Sequence, residues 1–196
     1  MKTTEAKKII ILGKTGSGKT YLAKKLLKEY DRVVIFDTLE EYTDGVVFDE
    51  LKTFCAFWKR SHTGKFRLIY RPLDPEAEFD TIADLVWECG NCVFLVEEID
   101  LFGSSYKISD AFKNIIRRGR HRDIVFIGVT QRPFGINRLI TSQAKEILVF
   151  STNEPRDREY LKDLLGSGVE AKLDKLKKYE FVIWKDGLEG YEIGKA

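Results

Sequence analysis

Residues Gly13-Lys14-Thr15-Gly16-Ser17-Gly18-Lys19-Thr20 satisfy the pattern GxxxxGK[ST] in full. Few eight-residue strings restrict a fold as tightly, because the pattern works only as the bend between a buried strand and a helix. Both neighbours are present. Lys8 to Leu12 is a short apolar run with the character of a buried strand. From Lys19 to Tyr30, Leu22, Ala23, Leu26, Leu27 and Tyr30 share one helical face with lysines opposite. In that setting the glycines permit a tight wrap whose backbone N–H groups point at phosphate oxygens, and the positive end of the helix adds its field. Lys19 then reaches the β- and γ-phosphates of ATP and the Thr20 hydroxyl faces Mg²⁺, while Lys14 and Thr15 are expected only to fill the loop.

The rest of the chain continues the alternation. Arg32 to Phe36, Phe66 to Tyr70, Cys92 to Val96, Ile124 to Val129 and Glu146 to Phe150 read as strands. Between them, Leu51, Phe54, Cys55 and Trp58 mark one helix, and Phe79, Ile82, Ala83, Val86 and Cys89 a second that Gly90 stops. Ile108, Ala111, Phe112, Ile115, Ile116 and Gly119 mark a third, and Tyr160, Leu161, Leu164 and Leu165 a fourth closed by Gly166. Phe181 to Trp184 and Tyr191 to Ile193 read as a hairpin around Lys185 to Gly190. Strands separated by helices imply a mainly parallel sheet flanked by helices, here with a C-terminal antiparallel hairpin. At 196 residues, 43% of them hydrophobic, with no repeat or linker, residues 1–196 read as a single α/β domain of the P-loop NTPase class.

The strand from Cys92 to Val96 ends in Glu97-Glu98. Carboxylates at the end of a buried strand are the second requirement of such a site: one holds the Mg²⁺ shell and its neighbour activates the attacking water. Glu97 is assigned to the metal and Glu98 to the base, with Asp100 a weaker candidate for either role. Ligands of parallel α/β sheets bind beyond the carboxyl ends of the strands, where the pair and residues 13–20 both fall.

Further on, Arg117-Arg118-Gly119-Arg120-His121-Arg122 precedes the strand beginning at Ile124, Thr130-Gln131-Arg132-Pro133 follows it, and Ser142-Gln143 comes shortly after. This combination resembles the HerA/FtsK superfamily of P-loop ATPases over roughly Lys8 to Phe150, and Glu97-Glu98 resembles the Glu-Glu form of its acidic motif. The resemblance implies an additional-strand ATPase core working as a homo-oligomeric ring, usually a hexamer, that translocates double-stranded DNA. It also implies that Gln131 is a polar sensor between the γ-phosphate and the water. An arginine, Arg117 or Arg120, would reach a neighbouring subunit's nucleotide. A chain this close to a bare motor is similar to the small genome-packaging ATPases of icosahedral viruses, whose partners would include a capsid vertex or portal protein. Alternatives are a small nucleotide kinase, a cellular or conjugative DNA pump of the same superfamily, and a non-catalytic scaffold. No arginine-rich lid supports the kinase and no NKxD motif supports a GTPase.

Lys+Arg at 33 against Asp+Glu at 31 leave a net charge of +2, which gives no global sign of a nucleic-acid partner, although a ring needs basic residues only on its pore side. The loop Leu101 to Ser109, with Tyr106 and Lys107, is the candidate for contact with the DNA backbone, followed by Arg132, Arg138 and Lys145. Three cysteines, an odd number, argue against a secreted disulfide framework. Cys55, Cys89 and Cys92 read as small core residues rather than half a zinc site. The four-residue apolar run from Ile9 to Leu12 is far short of a secretory leader or a membrane span, so the expected location is the host cytoplasm, with association to the virion.

Overall fold

The computed structural model describes residues 7–196; the six residues before them, part of the stretch read above as carrying no leader, lie outside it. In chain order the elements are β1 (Lys8–Leu12), α1 (Lys19–Leu27), β2 (Arg32–Phe36), β3 (Val46–Phe48), α2 (Leu51–Ser61) and β4 (Phe66–Tyr70). They continue with α3 (Pro75–Cys89), β5 (Cys92–Val96), α4 (Ile99–Phe102), α5 (Asp110–Arg118), β6 (Ile124–Thr130) and α6 (Arg138–Ser142). The last are β7 (Glu146–Phe150), α7 (Pro155–Leu165), α8 (Gly168–Leu173), β8 (Glu180–Lys185) and β9 (Glu192–Lys195).

Among the described residues these strands form one nine-stranded sheet in the order β3-β4-β2-β5-β6-β1-β7-β8-β9. Every pairing from β3 to β7 is parallel, while β8 and β9 run antiparallel, the hairpin expected of the tail. β6 lies between β1 and β5, with Ile10 opposite Gly128 and Val93 opposite Val125, so this is the additional-strand arrangement.

Burial on both faces is why β1, β5 and β6 are continuous apolar runs rather than alternating ones. Along β1, Ile10 and Leu12 face a core built with Phe54, Phe79, Phe112 and Leu161 of α2, α3, α5 and α7. Ile9 and Ile11 face the other way, onto Leu22, Ala23 and Leu27 of α1 and onto Tyr42.

Several boundaries differ from the sequence reading. α1 ends at Leu27, and the chain reaches Tyr30 through short-range bonds such as Tyr30 N to Leu27 O, 3.2 Å, a tightened last turn. α5 starts at Asp110 rather than Ile108, because the Ser109 hydroxyl caps the Phe112 N–H at 3.2 Å and Ile108 pairs with Gly103. β3 was not foreseen: at three half-exposed residues on the sheet edge it carries no readable period. The short helices α4, α6 and α8 escape for the same reason.

Phe79 stacks on Phe102 at 4.2 Å and meets Phe36 and Phe112 edge-on at 5.3 and 5.0 Å, joining α3, α4, α5 and β2 just beneath the carboxyl edge of the sheet. Phe79→Ala should therefore cost about 3–5 kcal/mol, read as a lowered urea midpoint at unchanged slope.

Candidate functional site

The chemistry-bearing residues gather beyond the carboxyl ends of five neighbouring strands. The turn after β1 wraps through Gly13, Gly16 and Gly18 at φ of 143°, 72° and 112°. Gly13 is required for a second reason: a Cβ there would sit 2.6 Å from Phe150 Cβ, where the turn leans on the end of β7. Lys14 N–H donates to the Ser151 carbonyl at 3.1 Å, fixing the turn to that strand end. Gly18 caps α1 with no side-chain hydrogen bond, and Ser17 Oγ is buried without a partner. Unclaimed donors at a helix start are the chemistry of an anion cradle. Lys19 Nζ folds back to the Lys14 carbonyl at 3.0 Å. Burial holds its ammonium below the usual lysine range, with Glu97 and Glu41 opposing that shift.

Glu97 is 2% exposed and accepts a hydrogen bond from the Tyr42 hydroxyl at 2.6 Å. Burial pushes its carboxyl up to about 7, against the pull of Tyr42 and Lys19. Glu98 has left-handed backbone, φ 49° and ψ 49°, and accepts from the Thr38 hydroxyl at 3.1 Å. The two consecutive acids are thus held by different partners, both from the segment after β2.

That segment was missed in the sequence. Asp37 is fully buried and accepts from the backbone N–H groups of Glu41 and Tyr42 at 3.0 and 3.1 Å, with Arg71 3.5 Å away. It folds the loop so that Tyr42 meets Glu97 and Glu41 accepts from the Thr20 hydroxyl. The signal was present: RVVIF followed by Asp-Thr is another apolar strand delivering polar groups at its carboxyl end, the same logic that picked out Glu97-Glu98.

Gln131, at the end of β6, accepts a hydrogen bond from the Thr15 hydroxyl, so Thr15 is more than the loop filler expected of it. Asp100 turns toward Thr130, whose hydroxyl donates to it at 2.5 Å, and is occupied there rather than at the acidic pair. A cavity of about 510 Å³ runs from Lys14, Gly16 and Ser17 to Asn153, Asp174 and Tyr179, within the range of small-ligand sites.

The basic segment divides. Arg118 and Arg122 lie over the Trp87 ring at 5.5 and 5.7 Å, and Arg122 also donates to the Trp87 and Glu88 carbonyls. Arg117 and Arg120 are exposed, and their side chains have no hydrogen bond or ion pair among the described residues. All four precede β6, seven residues or roughly 20 Å of strand away from the edge that holds the cradle. Ser142 and Gln143 also lie before a strand, β7, and are not brought to the acids. Lys145 is paired with Asp186 at 2.5 Å and is likewise no part of that edge. The loop expected from Leu101 begins later, because Leu101 and Phe102 belong to α4 and Phe102 is buried. Ser104 pairs with Ile136 and its carbonyl accepts from Asn137 Nδ2 at 2.8 Å, which leaves Tyr106, 99% exposed, at a pinned tip beside Lys107.

The sequence matches the model of the ATPase family associated with various cellular activities (AAA) over residues 9–152. It is 24% identical over 178 residues to a DNA packaging ATPase of Enterobacteria phage PRD1, covering 85% of this chain and 73% of that one. The structure superposes on the genome packaging NTPase of Sulfolobus turreted icosahedral virus 2, solved with ATP-gammaS, at a TM-score of 0.81 and 21% identity, covering 100% of this chain and 98% of that one. It also superposes on VirB4 of Thermoanaerobacter pseudethanolicus at a TM-score of 0.72 and 13% identity, covering 96% and 88%. The fold is shared throughout. Gly13→Ala, which places a methyl group against Phe150, should abolish binding of a fluorescent ATP analogue in a titration that the parent protein saturates.

Proposed function

The chain belongs to the AAA family of ATPases, and from that footing we propose that it is the motor that drives double-stranded DNA into a viral capsid at the expense of ATP. The observation that carries this reading is the likeness to two viral packaging ATPases across 85% and 100% of the chain, together with an acidic pair built for hydrolysis.

In this reading Lys19 binds the β- and γ-phosphates, and the free donors of Ser17 and the start of α1 line the rest of the cradle. Thr20 and Glu97, with Glu41 beside Thr20, offer the hard oxygen donors that suit Mg²⁺, and Thr20 and Glu97 would hold it. When bound, the ion supplies charge neutralisation at the phosphate oxygens. Glu98 is the base that takes the proton of the attacking water; its hydrogen bond to Thr38 keeps the carboxylate parked until that bond is exchanged for the water. Gln131, anchored by Thr15, orients the water on the other side.

Arg117 and Arg120 are too far from their own cradle to touch its phosphates and have no competing side-chain partner among the described residues, which favours service to a neighbouring copy. We therefore read the working form as a homo-oligomeric ring, a hexamer on the family precedent, with Tyr106, Lys107 and Arg132 toward the DNA backbone. Such a machine would work in the host cytoplasm and at the virion, docking on a capsid vertex or portal protein.

The deciding experiment is ATP hydrolysis with and without double-stranded DNA, run beside solution mass with ATP present. Stimulation by DNA in an ATP-assembled oligomer supports the motor; phosphate transfer to a nucleoside monophosphate overturns it. Glu98→Gln should retain ATP binding while turnover drops about 10²–10⁴-fold. In the assembled state Arg117→Ala or Arg120→Ala should lower turnover by about 10³-fold or more, and full turnover in both variants would remove the trans assignment.

A further inference from the structure

Cys89 and Cys92 take no part in the nucleotide chemistry and sit at the other end of β5 from the acids. Cys89 closes α3 and Cys92 opens β5. Between them Gly90 and Asn91, at φ of 61° and 43°, reverse the chain, so that both cysteines stand at one turn. The pair is asymmetric: Cys89 is half-buried, whereas Cys92 is buried.

Arg32, the first residue of β2, is fastened over this turn. Its Nε donates to the Asn91 carbonyl at 2.7 Å, its Nη1 to the Gly64 carbonyl at 2.8 Å, and its Nη2 to Cys89 Sγ at 3.0 Å. The guanidinium lies over the Phe66 ring at 4.8 Å, so it is held from the side as well. On the opposite flank the Cys89 thiol approaches the His62 carbonyl at 3.6 Å. The neighbouring Cys92, followed by the charges of Arg32 and His62, pulls the Cys89 thiol below the ordinary cysteine range against the effect of burial. Cys89 in turn, together with burial, pushes Cys92 up. A cavity of about 570 Å³ lined by Arg32, Gly64, Lys65, Asn91 and Cys92 opens beside the turn; Cys92, not Cys89, is the cysteine on its wall.

A core thiol needs no fixed cation, and a turn that only had to be pinned would need Arg32 on its carbonyls but not on sulfur. We propose that Cys89 and Cys92 are a thiol–disulfide pair oxidised by small hydroperoxides, with Cys89 the attacking sulfur and Cys92 the resolving one. The Cys89 thiolate attacks the peroxide; an S–O bond forms, the O–O bond breaks, and the departing hydroxide or alkoxide takes up a proton, leaving Cys89 as a sulfenic acid. The Cys92 sulfur then attacks Cys89; the S–S bond forms, the S–O bond breaks, and the hydroxide leaves as water with the Cys92 proton. Two thiols are oxidised by two electrons and one peroxide is reduced to an alcohol, or to water, and water. The product ties the end of α3 to the root of the strand that carries Glu97 and Glu98.

The test is mass spectrometry of the full chain after exposure to a small excess of hydrogen peroxide, with remaining thiols alkylated under acid. The peptide containing Cys89 and Cys92 should lose two hydrogens and regain them with dithiothreitol, while Cys55, also half-buried, stays a thiol. Cys92→Ser should stop at a Cys89 sulfenic acid that dimedone captures. Arg32→Gln should slow oxidation of Cys89 on the order of tenfold and leave Cys55 unchanged, a difference that a purely structural role for Arg32 would not produce. If that variant fails to fold, competition between Cys89 and Cys55 for peroxide in the parent protein decides. Equal rates there, or no reversible loss of hydrogen, overturn the proposal.

Discussion

A carboxylate cannot be buried alone, and the arrangement around Glu97 is the answer to that constraint. Its side chain has almost no access to water, and the field there is already acidic, since Asp37 and Glu41 stand close by. Arg71 pairs with Asp37 and Glu40, and Lys19 opposes the charge of Glu41 and Glu97. Burial is the main cost of ionising Glu97, the charges of Glu41 and Asp37 add to it, and the carboxyl is pushed up to about 7. A divalent cation beside the carboxylates would offset their charge, and phosphate oxygens would pair with Lys19.

The sheet order makes this convergence possible. With β6 inserted between β1 and β5, the loop after β1 and the acids after β5 stand two strands apart, about 9–10 Å, and the end of β6 projects into the gap. Gln131 occupies that position, tied to Thr15 on one side. β5 and β6 are adjacent, so the acids stand beside the strand that ends in Gln131; with β1 beside β5 instead, no strand end would lie between cradle and acids to aim a polar group at a water. β2 flanks β5 on the far side, which is why its following loop supplies the partners of both acids, Tyr42 for Glu97 and Thr38 for Glu98.

Much of this was legible in the residues because parallel strands buried on two faces are spelled as unbroken apolar runs, and each run announces its own polar end. The sheet class and the place of the acidic pair follow from that spelling, whereas the cradle was read from the GxxxxGK[ST] pattern and Gln131 from the family resemblance. What escaped lacks it. β3 has three residues and lies at an edge, so no period forms. Asp37 and Thr38 are the exception, since they end the run RVVIF as Glu97-Glu98 end CVFLV; what no local pattern encodes is that their loop meets the acids, Thr38 on Glu98 and Tyr42 on Glu97. Thr15 passed for filler because the GxxxxGK[ST] pattern leaves that place open, and its partner is 116 residues away. Within the basic segment all the arginines look alike as letters. Trp87, on a different helix, separates Arg118 and Arg122 from Arg117 and Arg120.

The two edges of the parallel sheet divide the labour. At the carboxyl edge lie the cradle, the acids, Gln131 and the pinned tip bearing Tyr106 and Lys107, all connected through short loops. At the amino edge lie Arg117 and Arg120, and the Cys89-Cys92 turn under Arg32. A single chain cannot bring its own amino edge to its own nucleotide, because the sheet between them is one rigid layer of paired strands. Repetition of the chain can, since the amino edge of one copy can stand where the carboxyl edge of the next is open. Among the described residues the side chains of Arg117 and Arg120 have no partner, as the proposed contact with another copy would require, whereas Arg122, held by the carbonyls of Trp87 and Glu88, would have to give up those bonds before reaching across.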